Sequence, residues 1–147
     1  MFIFDISLLL LILLFLGLFS ANSPMPTTPA EMRAAILAQI SAWEQGDAEA
    51  LAAGFAPRGE IVIPAKRITG HEALHATGVR FAGRHRDVQV TVHRMLFGED
   101  CAAVEYRWED TKIETGNRYI ADDAVWVDFK DGRITRWREY WDSETPK

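Results

Sequence analysis

The sequence predicts one small α+β domain, with helices gathered in its first half and an antiparallel sheet in its second. Two observations carry that expectation. From Met32 to Phe81 apolar residues recur mainly at helical spacing, and from Val88 onward they alternate with polar residues at period two. A length of 147 residues suits a single domain with a core of modest size.

The helical half opens on a clear start signal. After the linker Ser23–Pro29, Thr28 stands as N-cap, Pro29 at the first helical position and Glu31 where a capping box needs its carboxylate. Met32, Ile36, Ile40 and Trp43 then form one apolar stripe, and Gly46 is a natural stop. Asp47 can cap a second, short helix through Leu51 and Phe55, closed by Pro57. Glu60–Pro64 reads as a short strand and Ala65–Gly70 as a loop. Thr69, Gly70, His71 and Glu72 then read as a second capping box, opening a helix with Leu74, Thr77, Gly78 and Phe81.

In the second half, Val88, Val90 and Val92 alternate with Gln89, Thr91 and His93 on a half-buried strand. Turns at Gly98–Asp100, Thr115–Asn117 and Asp131-Gly132 separate three further strands, over Cys101–Ile113, Tyr119–Phe129 and Ile134–Asp142. The expected order is three helices around one short strand, then a four-strand antiparallel meander.

Residues 1–24 are another kind of sequence. Between Ile6 and Phe19 only Ser7 and Gly17 interrupt an apolar run, which fits a signal-peptide core or a short membrane anchor. Asp5 occupies the place of the usual basic residue, so a true start at Met25 is the competing reading. The expected division is a leader over 1–24 and the domain over 25–147, membrane-anchored or exported, or cytoplasmic if translation begins at Met25. Membrane contact is then confined to the leader.

Composition narrows the function classes. All 16 Lys and Arg residues follow Pro24, but they interleave with acids in a chain of net charge -5, which argues against a nucleic-acid partner. Cys101, the sole cysteine, rules out an intrachain disulfide or a cysteine-based zinc site, and its apolar neighbours suggest a buried thiol. No Gly-rich phosphate loop or Gly-x-Ser-x-Gly elbow is present.

The loudest short motif is His71-Glu72-Ala73-Leu74-His75, a literal H-E-x-x-H. Phe81 stands where a longer metalloprotease signature has its third histidine, and the motif lies in a first helical turn, where helices fray. A polar helix start explains it better, and neither a metal nor a cofactor is expected. His85, between Arg84 and Arg86, reads as part of a solvated loop.

Alternation supplies the second constellation. Glu105, Arg107 and Glu109 share one strand face, Asp122, Ala124, Trp126 and Asp128 another, and Arg136, Arg138, Tyr140 and Asp142 a third. Both faces of the sheet mix aromatic and charged residues. Cross-strand salt bridges on a wet face are one explanation. The other is a helix-covered pocket in which acids and arginine meet aromatic walls.

The pieces Trp43-x-x-Gly46-Asp47, Gly70-x-x-Ala73-Leu74 and, above all, Lys130 to Asp142 (KDGRITRWREYWD) resemble the SnoaL-like branch of the nuclear transport factor 2-like superfamily. The resemblance runs from about Pro29 to Ser143. It implies a cone-shaped curved sheet wrapped around three helices and enclosing a pocket, commonly as a homodimer. It also implies a small, largely apolar ligand or substrate, handled by cyclase, isomerase, dehydratase or epoxide-hydrolase chemistry or simply bound.

Site residues follow from that resemblance. Asp142 matches the terminal Asp used as acid/base, and Arg107-Trp108-Glu109 resembles the hydrolases' Arg-x-Asp pair. The hydrolases' Tyr and Asn are missing at Glu60 and Val62. The isomerases' base and oxyanion partners are replaced by Ile63, Gln39 and Val125. The expected catalytic set is Asp142, held by Arg107, with Glu109 or Asp122 in the complementary proton role. Trp43, Phe55, Trp126 and Tyr140 are the expected pocket walls.

Overall fold

The structure is a computed structural model that describes residues 25–141. The leader expected over 1–24, and Asp142, lie outside the described residues. Among those described, no helix is long and apolar enough to cross a membrane.

Helix α1 (Pro29–Gln45) forms where its signals put it. Thr28 Oγ1 accepts from the Glu31 amide at 3.3 Å, and the Glu31 carboxylate accepts from the Thr28 amide at 2.8 Å, closing the capping box. Gly46 ends the helix at φ 65°, a conformation glycine adopts without steric cost. Asp47 caps α2 (Ala48–Ala53) by accepting from the Ala50 amide at 2.9 Å. Helix α3 (His71–Ala82) crosses α2 closely, since a Cβ on Gly78 would fall 2.9 Å from that of Ala48.

Six strands make one sheet: β1 (Phe55–Ile63), β2 (Lys66–Thr69), β3 (His85–Phe97), β4 (Cys101–Lys112), β5 (Arg118–Lys130) and β6 (Arg133–Trp141). Their order across the sheet is β2-β1-β6-β5-β4-β3. The β3–β6 meander is antiparallel, whereas β1 joins β6 in parallel, with Ile61 opposite Trp137. The sheet is curved and unclosed, and with the three helices it makes a cone. Its core holds Met32, Ile36, Leu51, Phe55, Leu74, Val127, Ile134 and Trp137, each no more than 2% exposed. Deleting a ring as large as that of Trp137 from such packing costs on the order of 3–5 kcal/mol.

Several local expectations need correction. The second helix stops at Ala53, and Phe55 and Pro57 belong to β1. Pro57 is tolerated because the β1–β6 register shifts between Phe55 and Glu60. Within that bulge a Cβ on Gly59 would come 2.9 Å from the Ile134 carbonyl, a backbone approach only glycine permits. The expected Ala65–Gly70 loop contains edge strand β2, paired antiparallel to β1. At the start of α3, Gly70 is the cap and makes no side-chain cap bond, so the Thr69–Glu72 box does not form. Cys101 is half-buried rather than enclosed.

Candidate functional site

The helices lie over one face of the meander, and between them and the sheet is a cavity of about 400 Å³. Trp43, Ile61, Ile63, Ile68, Phe81 and Trp108 give it largely apolar walls. Its polar groups gather at two ends.

At the first end, β3 begins with His85 and β4 runs out through Trp108 and Asp110. His85 Nδ1 lies 2.7 Å from Asp110 Oδ1, and Trp108 Nε1–H donates to Asp110 Oδ2 at 2.8 Å. A carboxylate can only accept, so Asp110 fixes the tautomer in which His85 Nδ1 carries the proton and Nε2 the lone pair. The Phe81 ring stacks flat on His85 at 4.4 Å and stands edge-on to Trp108 at 5.7 Å and Trp43 at 5.1 Å. The imidazole is thus oriented on one edge and clamped on one face, as a general base needs.

At the second end, Asp123 on β5 sits directly between Tyr106 on β4 and Trp141 on β6. Glu139, also on β6, lines the same end and accepts from Trp137 Nε1–H at 3.0 Å. Burial pushes Glu139 up to about 7; the Trp137 bond opposes this and the Asp123 charge adds to it. Burial, then the neighbouring Asp122 charge, pushes Asp123 up to about 6. The Tyr106 hydroxyl is raised well above its usual range by burial and then by the Glu139 and Asp123 charges.

The residues expected from sequence fall into three groups. Trp43 lines the cavity. Arg107, Glu109 and Asp122 do come together, but on the sheet's outer face: Arg107 lies 3.7 Å from Glu109 and 3.8 Å from Asp122, and Glu109 also pairs with Arg118 at 3.1 Å. Trp126 and Tyr140 share that outer face, with Trp126 donating to Asp128 at 2.7 Å and the Arg138 guanidinium 5.1 Å over the Tyr140 ring. Phe55 is fully buried in the core and does not reach the cavity. The physical reason is common to most of these. The helices cover the face carrying Tyr106, Trp108, Asp110, Asp123 and Glu139, which is the alternate of the one expected.

His85 is the principal residue the sequence reading passed over, because its two arginine neighbours imitate a solvated loop. Strict alternation sets His85 with Gln89 and Thr91, which pair with Glu109 and Arg107 on the outer face; the register shift between Arg86 and Gln89, with Asp87 at φ 54°, turns it inward opposite Lys112 instead. In the H-E-x-x-H segment, His71 Nε2 lies 2.9 Å from the Phe55 carbonyl and His75 stands 3.8 Å from Glu49 on an exposed surface.

A curved sheet over three helices, with an apolar cavity between them, is the cone of the nuclear transport factor 2-like fold. Within that class the chain belongs to the SnoaL-like domain family, whose model matches residues 36–137. A protein of ketosteroid isomerase-like fold from Catenulispora acidiphila, solved in complex with trimethylamine, is 21% identical. It superposes with a TM-score of 0.71 over 81% of this chain and 90% of its own. An epoxide hydrolase of the LEH-like type from M. tuberculosis gives 23% identity and a TM-score of 0.69, covering 77% and 84% of the two chains. A protein proposed to be a SnoaL-like polyketide cyclase from Jannaschia gives 14% and 0.69, covering 80% and 91%. At these identities the likeness is one of fold alone. No curated protein matches the sequence.

Proposed function

We propose that the protein binds a small, largely apolar molecule in the cavity and moves a proton on it, with His85 as base. One observation carries this reading. An oriented imidazole, held by a buried carboxylate and an aromatic stack, faces an apolar cavity large enough for a compact substrate. Asp110 and Phe81 position His85. Glu139, half-buried and raised to about 7, exchanges its proton near neutral pH and is the titratable partner at the far end. A single positioned acid or base of this kind contributes about 10²–10⁴-fold. Asp142 is the competing base, supported by the family resemblance of the final Tyr140-Trp141-Asp142. In the same reading, the chain pairs as a homodimer and residues 1–24 export or anchor it. Fractionating cells for the domain tests the leader.

The substrate is unidentified, so the test uses a general probe of a base in an apolar site. A nitrobenzisoxazole loses the C–H proton of its isoxazole carbon to the base, that electron pair completes a nitrile as the N–O bond breaks, and a coloured cyanophenolate forms. The expected result is saturable turnover about 10²-fold or more above buffer, lost in His85→Ala. Turnover that survives His85→Ala and disappears in Asp142→Asn moves the base to Asp142. Saturable binding without turnover leaves a non-catalytic binding domain. Neither binding nor turnover sinks the reading.

A further inference from the structure

Asp123 is only 8% exposed, and among the described residues its Oδ1 has no hydrogen-bond partner. An acceptor left unengaged in this way carries an uncompensated desolvation cost, larger when it is ionised. Its neighbours offer no relief. Tyr106 and Trp141 flank it across the sheet, and Glu139 brings a second carboxyl to the same end.

The cations nearby point elsewhere. Lys112 is the one Lys or Arg among the described residues that line the cavity, and it lies six positions along β4 from Tyr106. At ~3.4 Å per residue that is about 20 Å away, at the His85 end. Arg136 is bound to Asp128 at 2.7 Å and Arg138 lies over Tyr140, both on the outer face. Two acids therefore share an aromatic-walled end of a cavity with no cation beside them among the described residues.

We infer that the cavity takes a small organic ammonium, a protonated secondary or tertiary amine with apolar substituents. Its N–H donates to Asp123 Oδ1, and its charge answers Asp123 and Glu139. The substituents lie against the Tyr106 and Trp141 rings, where cation–π attraction adds to the pairing. The apolar remainder runs along Trp108 toward Trp43 and Phe81. This deepens the reading above by naming the class of molecule, and it rests on the cavity being a ligand site.

The test compares two molecules of one shape in the full-length chain. N,N-dimethylbenzylamine is a protonated amine; isobutylbenzene replaces its nitrogen by carbon. Binding is followed through tryptophan fluorescence at about pH 8 and about pH 5. The expected result at the higher pH is that the amine binds at least tenfold more tightly. That preference shrinks at the lower pH and disappears in Asp123→Asn, with Glu139→Gln weakening it as a second, independent variant. The titratable groups facing Asp123 across the cavity are Tyr106, Asp110 and Lys112 on β4, Tyr119 on β5, Glu139 on β6 and His85 on β3. Benzyltrimethylammonium, which has the charge but no N–H, is expected to bind between the other two. Equal or tighter binding of isobutylbenzene overturns the amine assignment while leaving the cavity as a ligand site. So does a preference that survives in Asp123→Asn. Failure of all three probes overturns the ligand site and the amine assignment together.

Discussion

At one end of the cavity Asp110 is buried with both carboxylate oxygens engaged; at the other Asp123 is buried with one oxygen unengaged. The first arrangement holds a side chain still before any ligand arrives. The second leaves a desolvation cost standing until something enters to offset it. Satisfied polar groups inside a fold position chemistry, and unsatisfied ones select what binds.

The largest effect should come from dismantling the satisfied end. Asp110→Ala leaves Trp108 Nε1–H and His85 Nδ1–H without their acceptor. It should cost about 3 kcal/mol, lowering the melting temperature by about 10 °C in a calorimetric scan. Asp110→Asn keeps one acceptor and can donate to Nδ1, reversing the tautomer. Turnover of the isoxazole probe should then fall about 10²-fold or more while most of the stability is kept. A variant that melts normally and turns over normally would detach Asp110 from His85.

The unsatisfied end should respond in the opposite sense. Glu139 is raised from 4.5 to about 7 and Asp123 from 3.8 to about 6, so between these limits the folded chain holds more protons than the unfolded one. Their contribution to stability is therefore greatest below about pH 4 and is lost as pH rises to about 7. Glu139→Gln should stabilise the protein at pH 8 by on the order of 2 kcal/mol, reduced from the full shift because the side chain is only half-buried, and change little at pH 4. Urea melts at the two pH values measure this. A destabilised Glu139→Gln at pH 8 would show that the carboxylate is compensated after all.

The smallest effect belongs to the outer face. Arg107 makes long, solvent-exposed pairs with Glu109 and Asp122, so Arg107→Ala should change stability by less than about 1 kcal/mol. Affinity for a cavity ligand should be unchanged in the same titration. Loss of turnover in this variant would instead restore the outer cluster to the chemistry.

What the sequence made legible follows from how local each signal is. The Thr28–Glu31 box, the Gly46 stop and the Asp47 cap are decided within a few residues, and all three appear in the structure. The meander was equally readable, because period-two alternation survives in strands as long as β4 and β5. Alternation says which side chains share a face, but it does not say which face the helices will cover. Here both faces of β5 and β6 carry aromatic rings and charges, so the choice between the Arg107 face and the Tyr106 face was open. Short β2 was hidden by Lys66 and Arg67, and the start of β1 by Pro57 and Gly59, whose bulge depends on the distant Ile134 backbone. The His85–Asp110 contact joins residues 25 positions apart, and no local pattern announces it.

The parallel pairing of β1 with β6 has a consequence for synthesis. Ile61 finds its partner in Trp137, about 75 residues later at the far end of the meander, and contacts of such long range form slowly. Thr27 adds two more late ties, donating its amide to Asp100 at 2.7 Å and accepting from the Gly132 amide at 3.3 Å. While the ribosome is still making β5, α1 can already pack on β3, but β1 lacks the strand that joins it to the meander. The β2–β1 end of the cone, and with it the cavity wall that carries Ile61, Ile63 and Ile68, is therefore joined to the rest only when β6 is available.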